Sequence, residues 1–189
     1  LLAKTLLLNK QYKATTDLLN KTTILPYEGA TDGRQLYREA WLMQAVGQIK
    51  DKNYKTALAS INKAKLWPEN LGAGKPYDDM IDLRLENYLE ALVFEKTRQK
   101  DKAISKLSRI ANGGISGRKQ ITDLINALAL RKTNRGPDGE KLLNEWVAEQ
   151  PENKIAKWAL AAYNGNTLET DIEGNGNFRV IREVVESKL

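Results

Sequence analysis

The 189-residue chain contains neither cysteine nor histidine. That removes disulfides, thiolate nucleophiles, imidazole bases and the common zinc ligand sets from its chemistry. A cysteine-free chain suits a reducing or an oxidising compartment equally, so the absence assigns no location. Long apolar runs are also missing, and none approaches the roughly 20 residues needed to cross a bilayer. No membrane span is expected. The apolar start LLAKTLLL (Leu1 to Leu8) resembles the middle of a signal peptide, but it has no initiating methionine, basic leader or cleavage site. It reads instead as the remnant of a helix cut on its N-terminal side, with any targeting signal upstream. Charge of one sign does not accumulate either. Thirty Lys and Arg stand against twenty-four Asp and Glu, for a net charge of +6, and the signs alternate. Alternation of this kind describes solvated helix faces rather than a basic stripe, so no nucleic-acid partner is expected.

What is present is a pair of small residues twelve positions apart that returns three times: Ala45 with Ala57, Ala91 with Ala103, and Ala127 with Gly139. Small residues at that spacing let two antiparallel helices cross closely, and repetition of such a crossing builds a stack of helical hairpins. The surrounding apolar residues agree. Trp41, Leu42, Ala45, Val46 and Ile49 follow a helical period up to a polar turn at Asp51 to Asn53. Tyr54, Ala57, Leu58, Ile61, Ala64 and Leu66 then line a second helix, which Pro68 ends. The plan repeats with Leu85, Tyr88, Leu89, Leu92 and Phe94 before a turn at Gln99 to Asp101, followed by Ala103, Ile104, Leu107 and Ile110. A third copy runs from Ile121 through Leu130, breaks at Asn134 to Asp138, and resumes at Leu142, Leu143, Trp146 and Val147. The expected architecture is all-α, one domain over 1–189. It comprises about five hairpins near 1–24, 34–67, 79–111, 118–149 and 153–189, the first truncated and the last closed by a capping helix over Phe178 to Leu189.

The copies are unevenly spaced. From Ala14 to Ala57 is 43 residues, from Ala57 to Ala103 is 46, and from Ala103 to Gly139 is 36. The excess falls in two inserts, Tyr27 to Gln35 and Leu71 to Asp79. Each joins the end of one hairpin to the start of the next, so both are expected on the same side.

The series Trp41, Ala45, Tyr54, Ala57, Ile61, Ala64, Pro68, then Ala91, Phe94, Ala103, Leu107, Ile110, then Ala127, Gly139, Leu143, Trp146, Pro151 resembles the tetratricopeptide-repeat family over roughly residues 1 to 165. The chain departs from that pattern where a glycine is expected and Ala45 or Ala91 stands, and through its two inserts. The resemblance implies a right-handed α-solenoid. The inserts LPYEGATDGRQLYREAWL and LWPENLGAGKPYDD are in addition similar to segments of bacterial, often Bacteroidetes, proteins whose helical repeats follow a β-sandwich domain of unknown function. That likeness implies a C-terminal helical part of a larger protein, and by analogy a setting in carbohydrate metabolism.

Several positions invite a functional reading. Asn70 to Pro76 has glycines followed by Lys75, as a phosphate loop has, but no strand precedes it and Pro76 stands where Ser or Thr is required. Gly72 and Gly74 read better as loop glycines and Lys75 as solvated. Glu28, Asp32 and Arg34, with Tyr27 or Tyr37, could hold a sugar, although a loop closed by an internal carboxylate and guanidinium pair explains them more simply. Lys50, Lys96 and Lys132 each precede the next small residue by seven positions and could form a basic row; the helix dipole alone also favours lysine there. Trp41, Trp67, Trp146 and Trp158 read as packing residues ahead of a sugar platform. No pair of carboxylates is spaced for glycoside hydrolysis.

The function expected from these residues is a noncatalytic scaffold with no cofactor and no metal, binding a protein, a peptide or another domain of its own chain. The groove would be lined by Leu42, Val46, Leu85, Tyr88, Leu92, Leu124 and Leu128 with Lys50, Lys96 and Lys132 at its rim. Tyr27, Glu28, Arg34, Asn70, Lys75 and Tyr77 would make contacts from the inserts. The alternative is an accessory helical domain of a carbohydrate-active enzyme whose catalytic part lies upstream. An intrinsic α-helical hydrolase fits the short, open-ended repeats less well.

Overall fold

Four hairpin turns are built the same way, around a residue in the left-handed region that is not glycine. Lys10, Lys52, Arg98 and Asn134 have φ of 59°, 61°, 61° and 62°. The amide that follows each one reaches back five residues: Gln11 to Leu6, Asn53 to Gln48, Gln99 to Phe94 and Arg135 to Leu130. This closes the carbonyls of one helix and turns the chain into the next.

The computed structural model describes residues 1–26, 31–113, 117–166 and 171–189, and among these the regular structure is entirely helical. The chain divides into two compact units, 1–86 and 87–189.

In the first unit, α1 (Leu2–Leu8), α2 (Tyr12–Lys21), α3 (Asp32–Lys50) and α4 (Tyr54–Ala64) pack in sequence, and α1 also touches α3. Ala45 on α3 and Ala57 on α4, twelve apart, are both fully buried. On α4 the core residues Ala57, Ile61 and Ala64 fall at i, i+4 and i+7, one face of a helix. Two single-turn 3-10 helices, Glu69–Leu71 and Asp78–Met80, straddle the two ends of the second insert. The helix α5 (Arg84–Lys96) begins in this unit and continues into the other.

The second unit holds α6 (Lys100–Asn112), α7 (Thr122–Lys132), α8 (Gly136–Glu149), α9 (Lys154–Tyr163) and α10 (Gly176–Glu186). Successive helices from α6 to α9 pack on one another, α7 also packs on α9, and α10 returns to α7. The pair Ala127 and Gly139 crosses so closely that a Cβ on Gly139 would lie 2.7 Å from the Ala127 carbonyl oxygen and 2.8 Å from the Tyr163 hydroxyl. Only hydrogen fits there. The expected breaker at Asn134 to Asp138 is shorter than the sequence implied, because α8 already begins at Gly136. Pro137 occupies its first turn, where a missing N–H costs nothing. Asn153 caps α9 by accepting from the amides of Ile155 and Ala156.

Candidate functional site

The most densely organised polar feature of the first unit starts from two arginines four residues apart on α3. Arg34 and Arg38 share a helix face with Leu42, which is fully buried, so both guanidiniums are carried toward the interior. Arg34 is 3% exposed. One of its amino groups donates to the carbonyl of Ala64 at 2.7 Å, at the last residue of α4. Its plane lies over the Trp67 ring, 4.6 Å from the centroid. Burial, together with neighbouring Arg38, lowers the Arg34 guanidinium from its ordinary value to about 10, while Glu86 and Tyr37 oppose that shift. Its Nε, like the indole nitrogen of Trp67, is buried without a hydrogen-bond partner among the described residues.

Arg38 binds the carboxylate of Glu86 in bidentate fashion, Nε to Oε1 at 2.5 Å and Nη2 to Oε2 at 2.8 Å. The Glu86 side chain is wholly buried and that of Arg38 is 18% exposed. Two parallel charge-assisted bonds fix both position and orientation, so this pair ties the start of α5 to α3. Tyr37 packs edge-on to Trp41, with ring centroids 6.1 Å apart, and burial pushes its hydroxyl pKa up.

The segment after α2 and the start of the second insert meet beside this cluster. The Ile24 amide donates to the Asn70 carbonyl at 2.8 Å. The Asn70 side-chain amide donates to the carbonyls of Leu19 at 2.9 Å and Thr22 at 2.7 Å, closing the end of α2. Leu71, Leu19 and Tyr37 form a small core with Ile24, Leu36 and Trp41 around it. Gly72, with φ of 67°, passes so close that a Cβ would stand 2.7 Å from the Ile24 carbonyl oxygen. Beyond it the chain is open. Lys75 is exposed and paired with Asp78 at 2.7 Å, and Tyr77 and Met80 are 80% and 71% exposed.

Several sequence expectations change on this geometry. Arg34 belongs to a helix core instead of a ligand loop, because α3 begins at Asp32, inside the segment assigned to the first insert. Asp32 in the first turn favours that start through the helix dipole. Tyr27 and Glu28 lie outside the described residues. Asn70 spends its amide donors on the chain itself. The proposed groove lining is not a free surface: Leu42, Val46, Leu85, Tyr88, Leu92 and Leu124 are each no more than 3% exposed, and Leu128 is half-buried. Their apolar surface is already covered within the chain, and burial pushes the Tyr88 hydroxyl well above its ordinary pKa. Lys50, Lys96 and Lys132 are exposed, and Lys132 pairs with Glu95 at 2.8 Å. Trp146 and Trp158 are core residues and Trp41 and Trp67 are half-buried.

The cluster of Arg38, Glu86 and Trp67 was missed as a unit. Its signal was present: Arg34, Arg38 and Leu42 stand at i, i+4 and i+8, which places two charges on a face that must be buried. Chemically, two cations, one carboxylate and the aromatic rings beside them make an anchoring network. Among the described residues, no group of three or more acidic side chains could hold a metal ion, and no helix is long and apolar enough to cross a membrane. No family model, curated protein or solved structure matches the chain.

Proposed function

We propose that this chain is a noncatalytic scaffold of tetratricopeptide-like hairpins, arranged as a right-handed α-solenoid, that binds a protein or another domain of its own chain. Three features support the repeat reading: the small-residue pairs, the common left-handed turn, and the packing of helices two apart in each unit, α1 on α3 and α7 on α9. The observation that carries the binding role is exposure in and beside the inserts. Leu25, just before the first insert, Tyr77 within the second and Met80 just after it are 80%, 80% and 71% exposed, to either side of the contact that Asn70 and Leu71 make with the end of α2. Large apolar side chains presented on an anchored loop lose little entropy when a partner covers them.

The test is a photo-cross-linking residue placed at Tyr77 or Met80 of the protein in its native cell, with exposed Ser105 on α6 as the control position. Tyr77 and Met80 are expected to trap one defined protein or domain that Ser105 does not. A pattern shared by all three positions, or tight binding of a sugar by the insert face, overturns the reading.

A further inference from the structure

Three Asn-Gly bonds lie in the second unit: Asn112-Gly113, Asn164-Gly165 and Asn175-Gly176. Glycine after asparagine carries no Cβ to shield its nitrogen, so that nitrogen can attack the asparagine side-chain amide and close a five-membered ring. The attack needs an amide that can give up its proton. At two of the bonds that amide is held. The Gly113 amide donates to the carbonyls of Arg109 at 3.1 Å and Ile110 at 3.2 Å, and the Gly165 amide to that of Ala162 at 3.2 Å. Gly176 is the first residue of α10, where an N–H has no intrahelical acceptor, and among the described residues it donates to none.

The electrophile is prepared as well. The Asn175 side-chain oxygen caps α10 by accepting from the Phe178 amide at 3.0 Å. That N–H stands where negative charge collects on the oxygen when Cγ is attacked, and the positive end of the helix favours the same charge. Ring closure also requires the asparagine Cβ and the glycine nitrogen to eclipse about the Cα–C bond. With ψ of −179° at Asn175 the two are gauche, whereas ψ of 3° at Asn164 turns them much further apart. Asn175 is exposed, so water reaches the ring. Asn112 also receives a donor, Arg135 at 3.0 Å, but its glycine nitrogen stays doubly held.

We propose that Asn175 is a self-modification site, converted through a succinimide to aspartate and isoaspartate ahead of the other two Asn-Gly bonds. The Gly176 nitrogen bonds to Asn175 Cγ and gives up its proton, and the side-chain nitrogen leaves as ammonia. One water then opens the ring at either carbonyl. Cleavage of the new Cγ–N bond leaves aspartate, whose carboxylate still caps α10. Cleavage at the main-chain carbonyl leaves isoaspartate, which routes the main chain through Cγ and takes the capping oxygen out of place. A longer main chain has no room there, because a Cβ on the adjacent Gly174 would already overlap the Phe178 ring. The change stays local, since Phe178, Val180, Ile181 and Val184 keep α10 buried. This chemistry is independent of the scaffold role.

The test is ageing of the intact chain in neutral buffer, with peptide mapping by mass spectrometry at intervals and isoaspartate identified by enzymatic methylation. In the folded chain Asn175 is expected to convert at least tenfold faster than Asn112 and Asn164. In urea, where no amide is held, the three rates should converge. Equal rates in the folded chain, a faster Asn112 or Asn164, or the same preference in urea overturns the proposal. The isoaspartate form should show at least tenfold faster hydrogen exchange at the Phe178 amide than the unaged chain, whereas Asn175→Asp should not. Asn175→Ser keeps a capping oxygen and cannot cyclise, so ageing should leave its exchange unchanged. Loosening of Asn175→Ser on ageing, or an isoaspartate form that protects Phe178 as well as the unaged chain does, overturns the link to the cap.

Discussion

In residues 1–86 the helices are tied by charge and aromatic rings: Arg38 grips the buried Glu86, Arg34 reaches the end of α4 across Trp67, and Asn70 pins an insert to α2. In residues 87–189 a close backbone approach joins the polar ties. Gly139 admits the Ala127 carbonyl and the Tyr163 hydroxyl, Tyr163 donates to the Gly136 carbonyl at 2.7 Å, and Arg131 lies over the Tyr163 ring. The strongest polar tie of the first unit is thus a wholly buried carboxylate that must stay paired. The second unit has its own pair, Lys106 with Glu90 at 2.7 Å, and adds at Gly139 a space between two helices that must stay empty. Stability in the two should respond to different substitutions, and the tryptophans allow them to be read separately, since Trp41 and Trp67 report residues 1–86 and Trp146 and Trp158 report residues 87–189.

The largest effect is expected at Arg38. Arg38→Ala leaves the Glu86 carboxylate buried without its bidentate partner, which should cost about 3–5 kcal/mol. Urea unfolding followed by Trp41 and Trp67 fluorescence, in a chain whose other tryptophans are replaced by phenylalanine, measures it. Replacing both partners, Arg38→Met with Glu86→Leu, should recover most of the loss, because an apolar pair leaves no buried charge. A single-variant cost below about 1 kcal/mol, the range of an exposed ion pair, would break the contrast between the units.

Gly139→Ala comes next. The added methyl meets backbone at 2.7 Å on one side and the Tyr163 hydroxyl at 2.8 Å on the other. Backbone cannot swing aside as a side chain can, so a loss of about 1–3 kcal/mol is expected, read by Trp146 and Trp158. Gly47→Ala on α3 is the control. Nothing lies within 4 Å of its Cβ position, and relief of glycine's helix penalty should stabilise the first unit by up to about 1 kcal/mol. Equal signs at Gly139 and Gly47 would mean that the close crossing does not constrain the second unit.

These contrasts also explain what could be read from the chain alone. Helical phase was legible because Ala57, Ile61 and Ala64, or Ala103, Leu107 and Ile110, keep a 3.6-residue period whatever they pack against. The small pairs marked the crossings because excluded volume depends only on residue size. Arg34 misled because Thr31, Asp32 and Gly33 have the composition of a loop. Gly33 is instead inside α3, where a Cβ would stand 2.8 Å from the Ile24 side chain. The groove misled for a different reason. Periodicity says that Tyr88, Leu92 and Leu124 face away from solvent or toward a partner, but which segment covers a face is tertiary information. Nothing local in Leu124 announces that α7 will receive α10, some fifty residues further on.

The turns misled least and sharpen the comparison last. Lys52 and Arg98 hold the left-handed conformation that glycine adopts without a Cβ penalty, and polar composition alone marked where they fall. Placing Lys at such a position costs about 1 kcal/mol relative to an unstrained backbone. Lys52→Gly in the first unit and Arg98→Gly in the second should therefore each stabilise by about 0.5–1 kcal/mol, less whatever glycine returns to the unfolded chain as entropy. Because the two turns share one geometry, thermal unfolding should give gains of similar size in both units, unlike every contrast above. A gain at Lys52 with a loss at Arg98 would mean that the Arg98 side chain carries a role in the second unit beyond the turn, and would extend the difference between the units to their one common element.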